Sequence, residues 1–264
     1  MKRAAVFCAL ALGAVRMAAA VPGGDGEDAV TVKSWGAIQN LAEKHSGAAS
    51  LAVLPGRQAV SGLVPVDPGK SYRVSAFFKA AGDKGKLRGY LGLKYYDADK
   101  NEMNYCGVWP VLGTEATLAK AVAKGDPAAS VAPAAWRTPP PWLYAVAFDV
   151  KDDLSDLPNS SVCLWGRPLP RGYPAGTRIR LHRYCDPPGV GGVVVPRWTE
   201  YSFHVSGEAG RGDPNGKNFD GKNYTPKFWN GTKYVKVVVA NGGLDGCELL
   251  VDDIVVRADE QKED

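Results

Sequence analysis

VPVDPGKSYRVSAFFKA (64–80) and KLRGYLGLKYYDADKNE (86–102) stand in the first half of the chain, and TKYVKVVVANGG (232–243) and CELLVDDIVVRAD (247–259) stand near its end. Apolar and polar residues alternate in the first pair, and β-branched residues dominate the second, which is typical of half-buried strands. A Pro-Gly turn precedes the first run, and Asn-Gly-Gly separates the last two. Each pair is predicted to be a β-hairpin, and together they predict one β-sandwich.

Four phrases resemble the galactose-binding-like jelly rolls that serve as carbohydrate-binding modules. They are HSGAASLAV (45–53), VPVDPGKSYRVSAFFKA (64–80), YLGLKYYDADK (90–100) and LLVDDIVV (249–256). The resemblance covers residues 30–110 and 195–258. It implies a secreted, non-catalytic sandwich that binds sugar and often holds a structural calcium ion.

A Pro- and Ala-rich middle segment does not fit a simple jelly roll. Outside it we count strands near 30–38, 49–54, 58–65, 71–80, 87–96, 199–206, 233–240 and 247–257, which suffice for a double-sheet sandwich. Residues 112–182 are therefore predicted to be an inserted small β-rich subdomain. The expected fold class is all-β, with the jelly-roll β-sandwich formed by residues 25–111 and 183–258.

The first twenty residues have the pattern of a cleaved export signal. Lys2 and Arg3 precede an apolar run, and Ala18, Ala19 and Ala20 supply the small residues of a cleavage site. Residues 1–20 are thus expected to direct the protein to a secreted or periplasmic location. Residues 259–264 form a polar tail.

Export changes the interpretation of the cysteines. Without Cys8, four remain, and in an oxidising compartment they allow three complete pairings. We favour a disulfide between Cys106 and Cys185, because these residues flank the two entry points of the predicted insertion. The spacing includes no C-x-x-C pair, which argues against a zinc site.

Composition and motifs exclude several functional classes. The formal charge is +4, with lysine and arginine dispersed among acids, so a nucleic-acid partner is not expected. No later apolar run reaches the roughly 20 residues of a membrane span. The sequence also lacks G-x-S-x-G, H-E-x-x-H, a P-loop and a dinucleotide fingerprint, so no catalytic residue is predicted.

The acid at Asp252 is the candidate metal ligand. It lies in an apolar strand, where a carboxylate needs a cation or several hydrogen bonds. The resemblance implies a calcium ion shared with oxygens of the N-terminal strand. Because DGEDAVTVKSW replaces the usual opening strand, Asp25, Glu27 or Asp28 would supply those oxygens. The alternative is an Asp252 that is only hydrogen-bonded.

Aromatic residues are the candidate sugar platform, since a pyranose has an apolar face that stacks on an aromatic ring. Alternation places one set of side chains outward, and loops add two tryptophans. The predicted carbohydrate-binding residues are Lys94, Tyr96, Trp198, Glu200, His204 and Trp229, with Trp109 beside them. The alternative is that these residues cover a sheet surface beneath the insertion.

The function expected from the sequence is therefore an exported, non-catalytic module that binds a polysaccharide or other glycan, with no protein partner identified. One alternative is an envelope structural or adhesion protein. Another is a polysaccharide-processing enzyme that uses carboxylates of the insertion, such as Asp149, Asp152 and Glu115.

Overall fold

A computed structural model describes most of the chain. The described residues are 19–82, 87–133, 135–136, 143–214, 226–243 and 246–259. Most of the predicted export signal and all but Asp259 of the predicted polar tail lie outside them. Ala19 and Ala20, at the end of the predicted signal, pair with Val256 and Val255 of the last strand. No helix among the described residues is long and apolar enough to cross a membrane.

The described elements are almost entirely strands. In chain order they are β1 (Ala19–Ala20), α1 (Ala29–Ser34), β2 (Ile38–Asn40), β3 (Ser50–Val53), β4 (Gln58–Val60), β5 (Val64–Pro65), β6 (Ser71–Ala80), β7 (Leu87–Tyr96), β8 (Trp109–Pro110), β9 (Ala116–Thr117), a 3-10 helix (Ala128–Val131), β10 (Tyr144–Phe148), β11 (Ser161–Leu164), β12 (Arg178–Arg183), β13 (Gly189–Val194), β14 (Thr199–Ser206), β15 (Tyr234–Asn241) and β16 (Leu249–Ala258).

These strands form three antiparallel sheets. Sheet 1 has the order β14-β6-β16-β3-β2, with β1 also paired to β16. Sheet 2 has the order β13-β7-β15-β4, with β5 also paired to β15. Sheet 3 has the order β11-β10-β12-β8, with β9 also paired to β12. Sheets 1 and 2 enclose the main core, so the predicted all-β jelly-roll sandwich is confirmed.

The two predicted hairpins are wrong. β6 lies in sheet 1 and β7 in sheet 2, and β15 lies in sheet 2 while β16 lies in sheet 1. Alternation shows that a strand has one buried face, but it does not show which strand it pairs with. The strands of each predicted pair therefore belong to different sheets of the sandwich.

Two other elements differ from the predicted strands. Within the predicted strand at 30–38, Ala29–Ser34 forms a helix, because the Asp28 side chain accepts the Val30 N–H and caps its first turn. The strand Gly189–Val194 was not predicted, because three of its six residues are glycine. It pairs with β7 along the edge of sheet 2.

The alternation predicted for the long strands is present in the core. On β6 the buried residues are every second one, from Tyr72 through Val74 to Ala80. On β7 the side chains of Leu91, Leu93 and Tyr95 point into the same core. Burial of side chains of this size contributes about 1.5–3 kcal/mol each.

Sheet 3 has a hydrophobic cluster of its own. Its fully packed members all lie between Leu118 and Leu181, and they include Phe148, Trp165 and Ile179. The sheet itself extends from Trp109 to Arg183, so its ends lie within three residues of the predicted insertion at 112–182.

A buried polar chain joins sheet 3 to the sandwich. The Arg180 guanidinium is fully buried and binds Asp156 at 2.9 Å. Its Nε donates to His182 Nε2 at 3.1 Å, and His182 Nδ1 donates to the Cys106 carbonyl oxygen at 2.7 Å. Burial lowers the pKa of His182 to about 4, so the ring is neutral at physiological pH.

We expect the sandwich to fold without sheet 3. The Tyr105 carbonyl oxygen accepts the Cys185 N–H at 2.9 Å, so the two connections to sheet 3 lie side by side. Replacing residues 109–183 by a short Gly-Ser linker should preserve a cooperative thermal transition. A shortened chain that shows no cooperative transition would contradict the independence of the two cores.

Because His182 is neutral in the folded protein, we expect the free energy of unfolding to depend on pH. The unfolded chain takes up this proton below about pH 6.5, while the folded protein does so only near pH 4. The free energy of unfolding should therefore fall with decreasing pH across this window, by up to about 3 kcal/mol, and then level off. In urea titrations at several pH values, His182→Asn should show a shallower slope. An unchanged slope would show that another group dominates.

Candidate functional site

The candidate site is the outer face of sheet 2. Because Leu91, Leu93 and Tyr95 point inward, the intervening residues of β7 point outward. We call this surface the tyrosine face. Its outward side chains are Tyr90, Lys94 and Tyr96 on β7 and Tyr234 and Lys236 on β15, and Glu102, Tyr105, Tyr184 and Asp186 border it.

Tyr90 lies flat on this face over glycine residues. A methyl group at Gly92 would lie 2.6 Å from the ring Cζ of Tyr90, and one at Gly189 would lie 2.5 Å from it. Gly92 and Gly189 are direct partners across β7 and β13. Only glycine leaves room for the ring to lie against the backbone here. Tyr90 remains 37% exposed, so its ring forms an open aromatic platform.

A carboxylate and further phenols stand beside the platform. The Tyr184 hydroxyl donates to Asp186 Oδ1 at 2.5 Å, and its ring lies 5.7 Å from that of Tyr105. Burial, together with the nearby Asp186, raises the pKa of Tyr90. Burial and the hydrogen bond to Asp186 also raise the pKa of Tyr184. These phenols therefore stay protonated and can donate or accept hydrogen bonds.

A second polar group lies farther along β7. Glu102 accepts the Tyr96 hydroxyl at 3.0 Å and binds the Lys94 ammonium at 2.9 Å. Burial and this hydrogen bond raise the pKa of Tyr96. The Lys236 ammonium lies 5.2 Å from the centre of the Tyr96 ring. The tyrosine face thus combines a flat ring with charged and hydroxyl groups at its edges.

The predicted binding residues are divided between opposite faces of the molecule. Lys94 and Tyr96 lie on the tyrosine face of sheet 2, whereas Glu200 and His204 lie on β14 of sheet 1. The prediction of one shared cleft is therefore wrong. Alternation assigned each residue correctly to an outward face, but it carries no information on which sheet a strand joins. Trp109 lies in neither sheet but on β8 of sheet 3.

Trp229 is not an exposed platform. It is 1% exposed and packs edge-on against Tyr95, with ring centroids 5.1 Å apart. Its loop folds into the end of the main core, which the local sequence does not reveal. Tyr96 is also largely covered, at 7% exposure, and it offers chiefly its hydroxyl edge.

The residues predicted on β14 already have partners within the protein. Glu200 binds Arg73 at 2.7 Å, and His204 lies 3.2 Å from Asp259. Trp198 is half-buried and meets His45 edge-on at 5.9 Å. These contacts are those of a sheet surface that other parts of the protein cover. They agree in this respect with the alternative to a binding role given in the sequence analysis.

The segment around His45 covers part of the outer face of sheet 1. The His45 ring stacks on Phe77 with centroids 3.6 Å apart. The His45 side chain also binds Asp253 at 2.7 Å. These contacts hold the segment against the outer face of sheet 1.

The predicted calcium ligands have separate roles. Asp252 is fully buried and accepts the backbone N–H groups of His45 at 2.8 Å and Ser46 at 3.1 Å. Burial raises the pKa of Asp252 despite these donors. Asp25 accepts the Glu27 N–H at 3.2 Å, Glu27 accepts the Ala48 N–H at 2.5 Å, and Asp28 caps α1.

Calcium binding at these residues stays a prediction. Among the described residues, no three His, Cys, Asp or Glu side chains gather closely enough to hold a metal ion. The arrangement matches the alternative, in which the buried Asp252 is satisfied by hydrogen bonds. The carboxylate oxygen of Asp252 that accepts these hydrogen bonds fixes the segment around His45 to sheet 1, which is a structural role.

No disulfide joins the described cysteines. Cys106 and Cys185 are both buried, and the predicted bond between them is not formed in this structure. Burial and the nearby Asp186 raise the pKa of the Cys106 thiol to about 11. The two residues do lie on adjacent connections to sheet 3, as the prediction required.

The carboxylates proposed for an enzyme each have a partner within the inserted segment. Asp149 binds Arg171 at 3.1 Å, and Asp152 binds Arg178. Glu115 accepts the Gly113 N–H at 2.8 Å. It lines a cavity of about 450 Å³ on sheet 3, together with the rings of Trp136 and Tyr144.

Sequence reasoning missed Tyr90, although the signal was present. The same alternation that exposes Lys94 and Tyr96 also exposes Tyr90 and Gly92. The phrases GYLG (89–92) and GVGG (189–192) place glycines where an adjacent ring can lie flat.

No family model and no curated protein matches the chain. Solved structures of three carbohydrate-binding modules are similar to it. A family 16 module is 10% identical, with 90% of this chain and 98% of that chain covered and a TM-score of 0.34. The xylan-binding CBM22-1 domain of Xyn10C from Paenibacillus barcinonensis is 7% identical, covers 86% and 82%, and has a TM-score of 0.32. A CBM4 module is 8% identical, covers 85% and 79%, and has a TM-score of 0.32. At these TM-scores, the similarity carries no argument about the ligand of this chain.

The burial of Trp229 predicts a stability effect. Trp229→Ala should lower the free energy of unfolding by about 3–5 kcal/mol, the usual cost of removing a buried large aromatic side chain. The half-buried Trp198 is the matched control, and Trp198→Ala should cost clearly less in the same urea titration. Equal losses for the two variants would contradict the assigned burial.

Proposed function

We propose that the chain is an exported, non-catalytic carbohydrate-binding module whose ligand rests on the tyrosine face. The observation that carries this proposal is the Tyr90 ring, which lies flat over Gly92 and Gly189 and is open to solvent. A pyranose ring has an apolar face of C–H groups that stacks on such a ring. The jelly-roll phrases of the sequence support the same class of ligand.

The groups around Tyr90 suit the edge of a sugar. Hydroxyl groups of a pyranose lie at the ring periphery, where a carboxylate accepts two neighbouring hydrogen bonds. Asp186 is exposed beside Tyr90 and already receives the Tyr184 hydroxyl on one oxygen. Glu102 and the Tyr96 hydroxyl provide a second polar edge along β7. Orientation would therefore come from these groups, and most of the contact area from Tyr90.

The role proposed here is binding without chemistry. The carboxylates of the tyrosine face, Asp186 and Glu102, are each engaged by a phenol. Assays for hydrolysis or eliminative cleavage of the bound polysaccharide test this part of the proposal directly.

The platform is tested by substitutions that lower binding but leave the fold intact. Tyr90→Ala should weaken binding of a soluble oligosaccharide by roughly tenfold, the scale of losing a stacked aromatic contact. Gly92→Ala should act similarly, because the added methyl group lifts the ring from the sheet. Isothermal titration calorimetry with a panel of oligosaccharides gives the affinities, and thermal melting confirms folding.

Two controls make this test specific. Gly62→Ala is the matched glycine substitution, since a methyl group there has no atom within 4 Å. Tyr144→Ala removes a comparable ring from the cavity on sheet 3. Loss of binding in Tyr144→Ala with full binding in Tyr90→Ala would move the site to sheet 3. If no oligosaccharide of the panel binds, the proposed function is wrong.

A further inference from the structure

Two lysines stand directly opposite each other on the tyrosine face. Lys94 of β7 and Lys236 of β15 are partners across the antiparallel pair. Side chains at such positions have Cβ atoms about 4.5–5.5 Å apart, and like charges there destabilise the sheet. Both lysines are partly buried, which increases their repulsion. The pair therefore lowers the stability of the sheet unless anions lie close to the two ammonium groups.

The protein supplies an anion to only one of the two. Glu102 binds the Lys94 ammonium through both of its oxygens, at 2.9 and 3.2 Å. Within the described part of the chain, Lys236 has no carboxylate within 4.0 Å; its ammonium instead faces the Tyr96 ring. Lys100 adds a further positive charge, 5.9 Å from the centre of the Tyr234 ring.

The nearby acids are otherwise engaged. Asp97, in the turn after β7, accepts the backbone N–H groups of Asp99 and Asn101. Asp186 is bound to Tyr184, on the far side of the platform. In the described ranges, the Lys236 ammonium at the border of the site is therefore supported only by the Tyr96 ring.

The spacing relates this ammonium to the Tyr90 platform. The Tyr90 ring covers Gly92, and Lys94 follows two residues later on the same face, about 7 Å along the strand. Lys236 is in register with Lys94. A sugar that stacks over Gly92 thus directs a substituent on one side toward Lys236.

We propose that the glycan is acidic and that its anionic group, a carboxylate or a sulfate ester, binds Lys236. This inference rests on the proposed function, because it places the anion on a sugar that Tyr90 holds. Glu102 neutralises the charge of Lys94, and the anionic group of the ligand neutralises the charge of Lys236. A charged hydrogen bond of this kind is stronger than a neutral one and depends on salt.

The test compares acidic and neutral oligosaccharides of equal length on the full chain. Oligogalacturonate supplies a carboxylate, sulfated galactan oligosaccharides supply a sulfate ester, and neutral galactan oligosaccharides supply neither. Calorimetric titration should give roughly tenfold or tighter binding for an acidic ligand, the scale of one charged hydrogen bond. This preference should shrink as NaCl rises from about 0.05 M to about 0.5 M. The preferred acid identifies the anionic group.

Lys236→Met should abolish the preference for the acidic ligand, while the neutral sugar still binds in a Tyr90-dependent way. Lys33→Met, on the exposed side of α1, is the matched control for net charge and should retain the preference. Equal binding of acidic and neutral sugars, or a preference that survives in Lys236→Met, would overturn the inference while Tyr90-dependent binding keeps the proposed function. Absence of binding to every sugar would instead reject the proposed function itself.

Discussion

Burial of Leu91, Leu93 and Tyr95 between the two sheets holds β7 in one register, and that register determines the tyrosine face. Side chains alternate along a strand, so a slip of one residue would bring Tyr90 and Lys94 into the core and expose the leucines. The three buried side chains together stabilise the observed register by several kcal/mol, on the scale of about 1.5–3 kcal/mol each. The outer face is therefore positioned by the core rather than by contacts of its own.

The glycines beneath Tyr90 show a compromise between stability and surface shape. Glycine within a strand is less favourable than alanine by roughly 0.5–1 kcal/mol, because it loses more backbone freedom on folding. At Gly92 and Gly189 a methyl group would overlap the ring. The sheet is thus weakened at one point so that an aromatic ring lies parallel to its surface. The neighbouring Lys94 and Lys236 pair is a second local weakness on the same face.

The sequence was sufficient to predict what depends on local pattern. Alternation correctly indicated that Tyr201 and Phe203 point inward and that Glu200 points outward. The chemistry of an acid in an apolar strand correctly raised hydrogen bonding as one explanation of Asp252. The inserted β-rich segment followed from a surplus of sequence over the strands of a sandwich.

The sequence was not sufficient for what depends on packing at long range. Period-two patterning is identical for strands of either sheet, so it placed Tyr96 and Trp198 together although they lie on opposite faces. A tryptophan in a polar loop carries no sign of whether the loop folds inward, as that of Trp229 does. Alternation indicates that Tyr90 points outward, but the contact of its ring with Gly189 depends on the pairing of β7 with β13, which no local pattern shows.

The inserted sheet and the tyrosine face share the same two connections. Tyr105 lies on the segment that enters sheet 3, and Tyr184 and Asp186 lie on the segment that leaves it. The Cys106 carbonyl on the entering segment is also where His182, and through it Arg180, fixes sheet 3 to the sandwich. Since this chain of hydrogen bonds is buried, breaking it leaves polar groups unsatisfied, at a cost of about 1–3 kcal/mol each. Asp186 follows β12 by three residues, so the edge of the tyrosine face lies directly beside the place where these buried hydrogen bonds join sheet 3 to the sandwich.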